Sequence, residues 1–420
     1  MGKYRMFVLV VLIGSLPVVA AAQSPAPVDS SAAQPLDAEG PGALEEVTVT
    51  ARRRSEHLSD VPISITAIDG NQLNERTIRS ESDLQLAVPG LIVRTTAVST
   101  QQNYSIRGQS IDAFTGSSPA VLAYVNDVEA NAGAPTTFFD LSSIQVLKGP
   151  QGTLFGRNTT GGAVLFTTTQ PGDSFGGYVG SGGHSFGISL DYNSATGALG
   201  NKTTLRNVSE EAQVLGKAFA SELDYVLGLY YSSNRHTEHD DLTYFDLTPV
   251  IPPSPSTFIF VATAKSEAAY AQGTYDLSSL SGINGLKATA GLRYTWETDG
   301  LSYPVDPHAL LSGGAAESKR FSNPSWQAGL EYKIRPELLL YVVQRGSWRS
   351  GGFNGYSPSN PTLAQFDGNE FLPEKTHDVE VGAKIRGAVM GAPSVFNIAL
   401  YNQWITDIQR VIYEIGRAHV

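Results

Sequence analysis

Three stretches in the second half of the chain alternate apolar and polar residues with a period of two. That period confines them to β-strands with one oily and one wet face. In "KATAGLRYTWE", Ala288, Ala290, Leu292, Tyr294 and Trp296 share one side, opposite Lys287, Thr289, Arg293, Thr295 and Glu297. "WQAGLEYKI" sets Trp326, Ala328, Leu330, Tyr332 and Ile334 against Gln327, Glu331 and Lys333, and "HDVEVGAKI" sets Val379, Val381, Ala383 and Ile385 against Asp378, Glu380 and Lys384. A soluble sandwich alternates in the same way. Aromatics at the ends of the apolar faces, strands of about ten residues and a contrast of short and long connections point instead to an antiparallel transmembrane β-barrel. Arg335-Pro336-Glu337 reads as a short periplasmic turn, whereas Asp299 to Asn323 and Gly351 to Glu374 read as long outer connections.

The N-terminus agrees with a wall built of strands. Lys3 and Arg5 precede an apolar run from Met6 to Leu16, then Pro17 and Ala20-Ala21-Ala22, the layout of a secretory signal cleaved near Gln23. That run is too short to span a bilayer, and no later run reaches the length of a membrane helix. A chain that enters a membrane without such a helix must close its strands into a barrel, because open edges go unsatisfied in lipid. The chain has no cysteine, which removes thiol chemistry and cysteine-ligated metals, and its net charge of −11 disfavours nucleic acid. Arg52-Arg53-Arg54, beside Glu45, Glu46 and Glu56, reads as a solvated linker.

Between signal and barrel lie three further segments. Residues 23–44 are rich in proline, alanine and serine and read as a disordered linker. "EEVTVTA" has the composition of a strand but no adjacent hairpin partner, so it reads either as an ordinary first strand of the following domain or as a segment whose backbone is free for β-strand addition to another protein. Residues 55–171 read as a small α+β domain: a strand and turn in "VPISITAIDG", a helix over Asn71 to Ala87 stopped by Pro89-Gly90, then short strands in "LIVRTT", "NYSIRG", "AVLAYVNDV" and "IQVLKG". "VLKGPQGTLFGRNTTGGAVLFTT" follows, with Gly149, Gly152, Gly156, Gly161 and Gly162. A phosphate-binding loop would continue as Gly-Lys-Ser/Thr into a helix, and here Arg157-Asn158 and a β-branched run follow.

Two other motifs invite enzymatic readings. Gly183-His184-Ser185-Phe186-Gly187 matches the nucleophile-elbow pattern of hydrolases, but a glycine- and serine-broken stretch stands where the helix should be. His236, Glu238, His239, Asp240 and Asp241 are metal-ligand types at loose spacing, read as a wet loop. No enzyme activity, cofactor or metal is expected.

"EEVTVTA", "DVPISITAIDG", "DLQLAVPGL", "SIRG", "VNDV" and the glycine-rich run, followed later by "GSWRSGGFNG", "PEKTHDVEVGAKI" and "FNIALYNQWITDIQ", resemble the ordered motifs of TonB-dependent outer-membrane receptors. The resemblance implies a mainly β fold: a plug domain (55–171) inside a barrel of 22 strands. It also implies a TonB box region (45–54) and residence in the bacterial outer membrane among its lipid. It makes Glu46, Val47, Thr48, Val49, Thr50 and Ala51 the segment that pairs with periplasmic TonB, which couples to an inner-membrane energising complex. The implied function is active uptake of a scarce small molecule, by default a ferric siderophore, with cobalamin, an oligosaccharide or a passive porin or adhesin as alternatives.

Within that frame the plug glycines allow close approach to the wall. Arg107 and Lys148 of the plug and Glu331 and Glu380 of the wall are candidate latch charges, with Arg107 and Glu331 expected to tolerate a paired charge reversal. Loop aromatics Tyr244, Phe245, Phe353 and Tyr356 are candidates for contact with the substrate. Residues 172–413 supply only about nine or ten strands, fewer than 22, so a truncated barrel without transport activity of its own is expected. Residues 414–420, "EIGRAHV", read as a non-native tail.

Overall fold

The computed structural model describes residues 47–95, 102–110, 118–130, 138, 140–169, 201–244, 254–305, 316–355, 370–389 and 392–409. The chain opens with two short strands, β1 (Thr48–Val49) and β2 (Glu56–His57), which pair antiparallel. Next come β3 (Ile65–Asp69), α1 (Gly70–Glu75), α2 (Glu81–Ala87), β4 (Leu91–Thr95), β5 (Gln102–Ile106), β6 (Val121–Val125), β7 (Val128–Glu129), β8 (Leu141–Lys148), α3 (Gly152–Phe155) and β9 (Gly162–Thr168). Five of these form a mixed sheet in the order β3-β8-β9-β6-β7, parallel only between β6 and β9, and β4 and β5 form a separate hairpin. One apolar cluster, including Ile68, Leu84, Ile144, Val146 and Phe166, fills the side of the sheet that carries the helices.

The helix expected over Asn71 to Ala87 is two helices. Thr77 adopts a left-handed φ of 56°, and the amide of Ile78 closes back on the carbonyl of Leu73, which ends α1. Ser80 then starts α2 with a capping box to Asp83.

Eight long strands form the second sheet: β10 (Asn201–Ala218), β11 (Leu223–Tyr244), β12 (Ser254–Asp276), β13 (Leu286–Ser302), β14 (Ala316–Arg335), β15 (Leu338–Arg349), β18 (Glu374–Val389) and β19 (Ala392–Thr406). They pair antiparallel in chain order. The small hairpin β16 (Gly352–Phe353) and β17 (Glu370–Phe371) intervenes, and the four-residue α4 (Ser278–Ser281) lies in one turn. The sheet is open, with β10 and β19 at its edges, and the described residues hold eight wall strands where about nine or ten were expected.

These strands run to 23 residues, well past the expected ten, and β13 continues beyond its exposed apolar row, which ends at Trp296, to Ser302. Asp299 to Ser302 and Ala316 to Asn323, read as parts of a loop, extend β13 and β14, and the His236–Asp241 stretch read as a wet loop lies inside β11. Cross-strand pairing on both sides satisfies the backbone of His236 to Asp240 and of Asp299 to Ser302, and pairing with β13 extends Ala316 to Asn323, where solvent exposure alone suggested a loop.

The alternation resolves into an outside and an inside. Leu292, Trp296, Leu330, Val381 and Leu400 are exposed on the outer face, while Thr289, Arg293, Thr295, Glu297, Glu331, Asp378 and Glu380 are buried on the inner one. From Ala288 to Trp296 the outward row spans about 27 Å along the strand. Tilted by roughly 40°, that matches an apolar band about 20–25 Å tall. The inner face is buried because the first domain packs against it. The Arg335–Leu338 connection is short, as expected, and shares its rim with the N-terminal segment: Lys333 and Lys384 reach Asp60 and the carbonyl of Leu58.

Candidate functional site

The glycine-rich run forms the leading edge of the plug against the wall. Gly149 (φ +86°), Gly156 (φ +85°) and Gly162 (φ +152°) use backbone that only glycine adopts without strain. Gly152 and Gly161 have no such φ and serve close approach. A Cβ on Gly152 would stand 2.6 Å from the hydroxyls of Ser325 and Ser347 on β14 and β15, and one on Gly161 would stand 2.9 Å from Val121. Gly162→Ala would drive its Cβ into the carbonyl of Leu147 in β8. It is expected to destabilise the plug by about 1–3 kcal/mol, read as a lower urea midpoint in plug unfolding.

Buried ion pairs join plug and wall at three places, and a fourth contact is a hydrogen bond from a wall arginine. The largest brings Arg107, in the turn after β5, to Glu380 and to Asp378 (3.0 Å) on β18. Arg345 on β15 closes the set, with Nε donating to Asp378 Oδ1 at 3.0 Å and Nη2 donating to Asp378 Oδ2 at 2.6 Å and to Glu380 Oε2 at 2.9 Å. Glu380 Oε1 also accepts from the Ser64 amide and the Tyr341 hydroxyl, both at 2.9 Å. Two guanidiniums thus share two carboxylates whose side chains are fully buried. In the second set Arg157 pairs with Glu297 on β13, to which Ser350 also donates at 2.6 Å. In the third, Arg52 reaches Glu331 at 3.2 Å and Glu56 at 2.6 Å. The fourth contact is a hydrogen bond: Arg349 of β15, whose ion pair with Glu374 at 3.6 Å stays within the wall, donates to the plug carbonyl of Ser110 at 2.8 Å.

The expected latch residues are therefore divided among different partners. Arg107 and Glu380 meet directly, but Glu331 takes Arg52 rather than Arg107, so the two residues of the expected charge reversal belong to separate sets. Lys148 makes no ion pair among the described residues; its carbonyl accepts from Arg345 at 3.4 Å. Burial, and then the charge of Arg107, hold its ammonium below the ordinary lysine value. Asp378 stands on the polar face already read for its strand, whereas Arg345 and Arg157 carried no pattern of their own.

The N-terminal segment also differs from expectation. Glu46 lies outside the described residues. Val47 to Ala51 is neither free nor unpaired: Thr48 and Val49 pair with His57 and Glu56, the Leu58 amide donates to the Val47 carbonyl, and the Thr50 amide donates to Gln145 Oε1 at 3.0 Å. Val49 is 0% exposed and packs with Ala51, Val61, Leu147 and Leu165 in the plug core. Arg53, at a left-handed φ of 60°, reverses the chain without glycine or asparagine, which is why no hairpin was legible. Nor do the three arginines form a solvated linker. Arg53 binds Asp127 (2.8 Å) and Glu211 (3.6 Å), and Arg54 binds Glu56 and Asp224, both at 2.9 Å.

Glu56 gives this hairpin a pH dependence. Burial pushes its carboxyl up, but the Arg52 charge and hydrogen bonds from Arg52 and Arg54 outweigh it and hold the group below its ordinary value of 4.5. A carboxylate depressed on folding stabilises fully above its unfolded value, and the contribution disappears as pH falls through the folded one. A spin label on Thr48→Cys, in a chain with no other cysteine, is expected to be immobile at neutral pH and to gain mobility only below about pH 4.5. Unchanged mobility across that window would remove Glu56 as a fastener.

The enzymatic motifs gain no support from geometry. Gly183 to Gly187 lies outside the described residues. His236 Nε2 lies 2.5 Å from Glu238 Oε2, and no group of three or more ligand side chains gathers around a metal-sized space among the described residues. Of the loop aromatics, Phe353 is buried against Phe260, Leu301 and Tyr303, while the side chains of Tyr244, Phe245 and Tyr356 lie outside the described residues.

Comparison with known proteins matches residues 90–416 to the family described as TonB dependent receptor-like, beta-barrel. The pesticin receptor of Yersinia pestis is 28% identical over 134 residues, 32% of this chain and 20% of that protein. The vitamin B12 transporter BtuB of Vibrio vulnificus is 30% identical over 149 residues, 34% of this chain and 23% of that protein. The matched stretches thus span about a fifth of the curated relatives' length. Among solved structures, the ferric yersiniabactin uptake receptor FyuA from Yersinia pestis superposes with a TM-score of 0.65 at 17% identity, over 83% of this chain and 73% of that one.

Proposed function

The chain belongs to the TonB-dependent receptor family of the bacterial outer membrane, and from that premise we propose that the receptor whose closed wall these eight strands help to build imports a scarce small molecule, a ferric siderophore, by energy delivered through residues 46–51. The family is one of receptors and transporters rather than enzymes. The observation that carries the reading is the route from the N-terminal segment to the buried ion pairs. Thr50 hangs on Gln145 of β8; β8 ends at Lys148, whose amide donates to the Ser64 carbonyl and whose carbonyl faces Arg345. The Ser64 amide donates to Glu380. Tension on the segment therefore runs along β3 and β8 into the pairs that fasten the plug. An outer membrane has no nucleotide supply or ion gradient of its own, so a seated plug needs such a pull. The periplasmic TonB protein and its inner-membrane complex supply it by adding a strand to the segment.

The substrate class follows the structural likeness to a ferric yersiniabactin uptake receptor. A second reading, cobalamin, is favoured by the match to a vitamin B12 transporter. Growth of cells that depend on this receptor, with ferric siderophores, hemin, cobalamin or oligosaccharides as the limiting nutrient, separates the two. Growth on a ferric siderophore that is lost when TonB is deleted is the expected result. Growth only on cobalamin would replace the substrate, and growth that persists without TonB would reject the mechanism.

A further inference from the structure

Among the arginines buried between plug and wall, one lacks a carboxylate. Arg52, Arg53, Arg107, Arg157, Arg345 and Arg349 each pair with at least one. Arg293, midway along β13 on the inner face, is 3% exposed and makes no ion pair among the described residues. Its guanidinium carbon lies 5.1 Å from the ring centroids of both Tyr230 and Tyr270, and its Nε donates to Thr295 Oγ1 at 3.4 Å. The tyrosine hydroxyls are directed elsewhere, to Glu129 at 3.3 Å and Glu211 at 2.7 Å, and Glu211 is also bound to Arg53. The remaining side is closed by the plug: a Cβ on Gly156, at the end of α3, would stand 3.1 Å from an Arg293 nitrogen.

The carboxylate that acts on it, Glu211, does so from beyond the Tyr270 hydroxyl and is shared with Arg53, so two ring faces and one hydroxyl compensate for the burial of the cation only in part. Leucine or methionine would pack between the tyrosines without that penalty. What distinguishes this arginine is its cover, which belongs to the part that must move. We propose that Arg293, Tyr230 and Tyr270 form a transit site for an anionic group of the substrate, a carboxylate or phosphate, uncovered when α3 leaves the wall. The inference rests on the import function above. A guanidinium accepts such a group through two parallel hydrogen bonds, and the flanking rings keep the fork planar and shielded from water. At rest the backbone at Gly156 occupies that place, so the site is hidden until the plug shifts.

The absence of cysteine permits a direct test. Thr295, buried and two residues from Arg293 on the same face, is changed to cysteine as the only thiol. Cells expressing this receptor are treated with 2-sulfonatoethyl methanethiosulfonate, an anion, or its trimethylammonioethyl counterpart, a cation, with the proton gradient intact or collapsed. The expected result is labelling in energised cells alone, with the anionic reagent favoured. The preference should fall at least about tenfold when Arg293→Gln is added and persist in Arg293→Lys. Millimolar citrate should slow labelling while Arg293 is present. Labelling that ignores the proton gradient rejects the import reading rather than the anion site. Energy-dependent labelling without charge preference, or with a preference indifferent to Arg293→Gln, overturns the anion site, as does a thiol that never reacts. Should Arg293→Gln fail to assemble, citrate protection of Thr295→Cys alone decides, and its absence overturns the proposal.

Discussion

Glu380→Ala is expected to weaken the seating of the plug by about 3–5 kcal/mol, the usual penalty for leaving buried charges without their partner. The carboxylate takes bonds from Arg107, Arg345, Tyr341 and the Ser64 amide, and its side chain is fully buried. Its loss leaves two guanidiniums on the single carboxylate of Asp378 and two neutral donors unmet. Tyr341→Phe removes only one donor and should cost less, about 1.5–3 kcal/mol for a hydrogen bond to a charged group. Because Arg107 and Glu380 act together, Arg107→Ala combined with Glu380→Ala should lose less than the sum of the two single changes. Trp348 provides the readout: it is buried and its carbonyl accepts from the Asn158 amide, whereas of the other three tryptophans Trp296 and Trp404 are exposed and Trp326 is half-buried, bonded within the wall to Gln344. Its fluorescence during urea titration should show the plug transition moving to lower urea, and cells should admit large polar antibiotics. An unmoved transition would mean that these charges are not what holds the plug.

How much of this arrangement the sequence revealed depends on which face each strand buries. β13, β14 and β18 were legible because their inner faces are polar and their outer faces apolar, and the same period exposed Glu331 and Glu380 as inward residues. β15 was not. Leu339, Tyr341 and Val343 point inward, where the plug makes an apolar inner surface acceptable, while Leu340 and Val342 face lipid, so "LLLYVV" reads as one continuous run. Arg345 lies just beyond that run, and the central guanidinium of the site went unseen.

Pairing partners were less legible than positions. Arg52 and Arg107 lie in turns of the plug far in sequence from Glu331 and Glu380, and only the three-dimensional placement of the β1–β2 hairpin and of β5 assigns one to each. The β1–β2 pairing was hidden for a related reason: its reversal is made by Arg53 in a left-handed conformation, held by ion pairs to residues far along the chain. Gly149, Gly156 and Gly162 were legible as backbone devices because their requirement is local.

Val49→Pro should bring uptake down to the level of a strain without TonB while leaving substrate binding at the cell surface unchanged. Strand addition draws its affinity from main-chain groups of the segment, and proline removes a donor and cannot take a central place in a ladder. The resting structure adds a second consequence. Val49 is buried among Val61, Leu147 and Leu165, so proline also loosens the docked segment and a label at Thr48 becomes mobile at neutral pH. Loosening alone would favour access by TonB, which makes the sign of the uptake change diagnostic: lost uptake in a released segment isolates the pairing step. Val49→Thr has nearly the same shape and retains the amide, so it should keep most of the uptake although its hydroxyl also weakens docking. Binding at the opposite rim is expected to be spared because the segment lies beside the short Arg335–Leu338 connection. Near-normal transport in Val49→Pro would mean that the pull enters the plug somewhere else, and the route through Thr50, Gln145 and Lys148 would then carry no load.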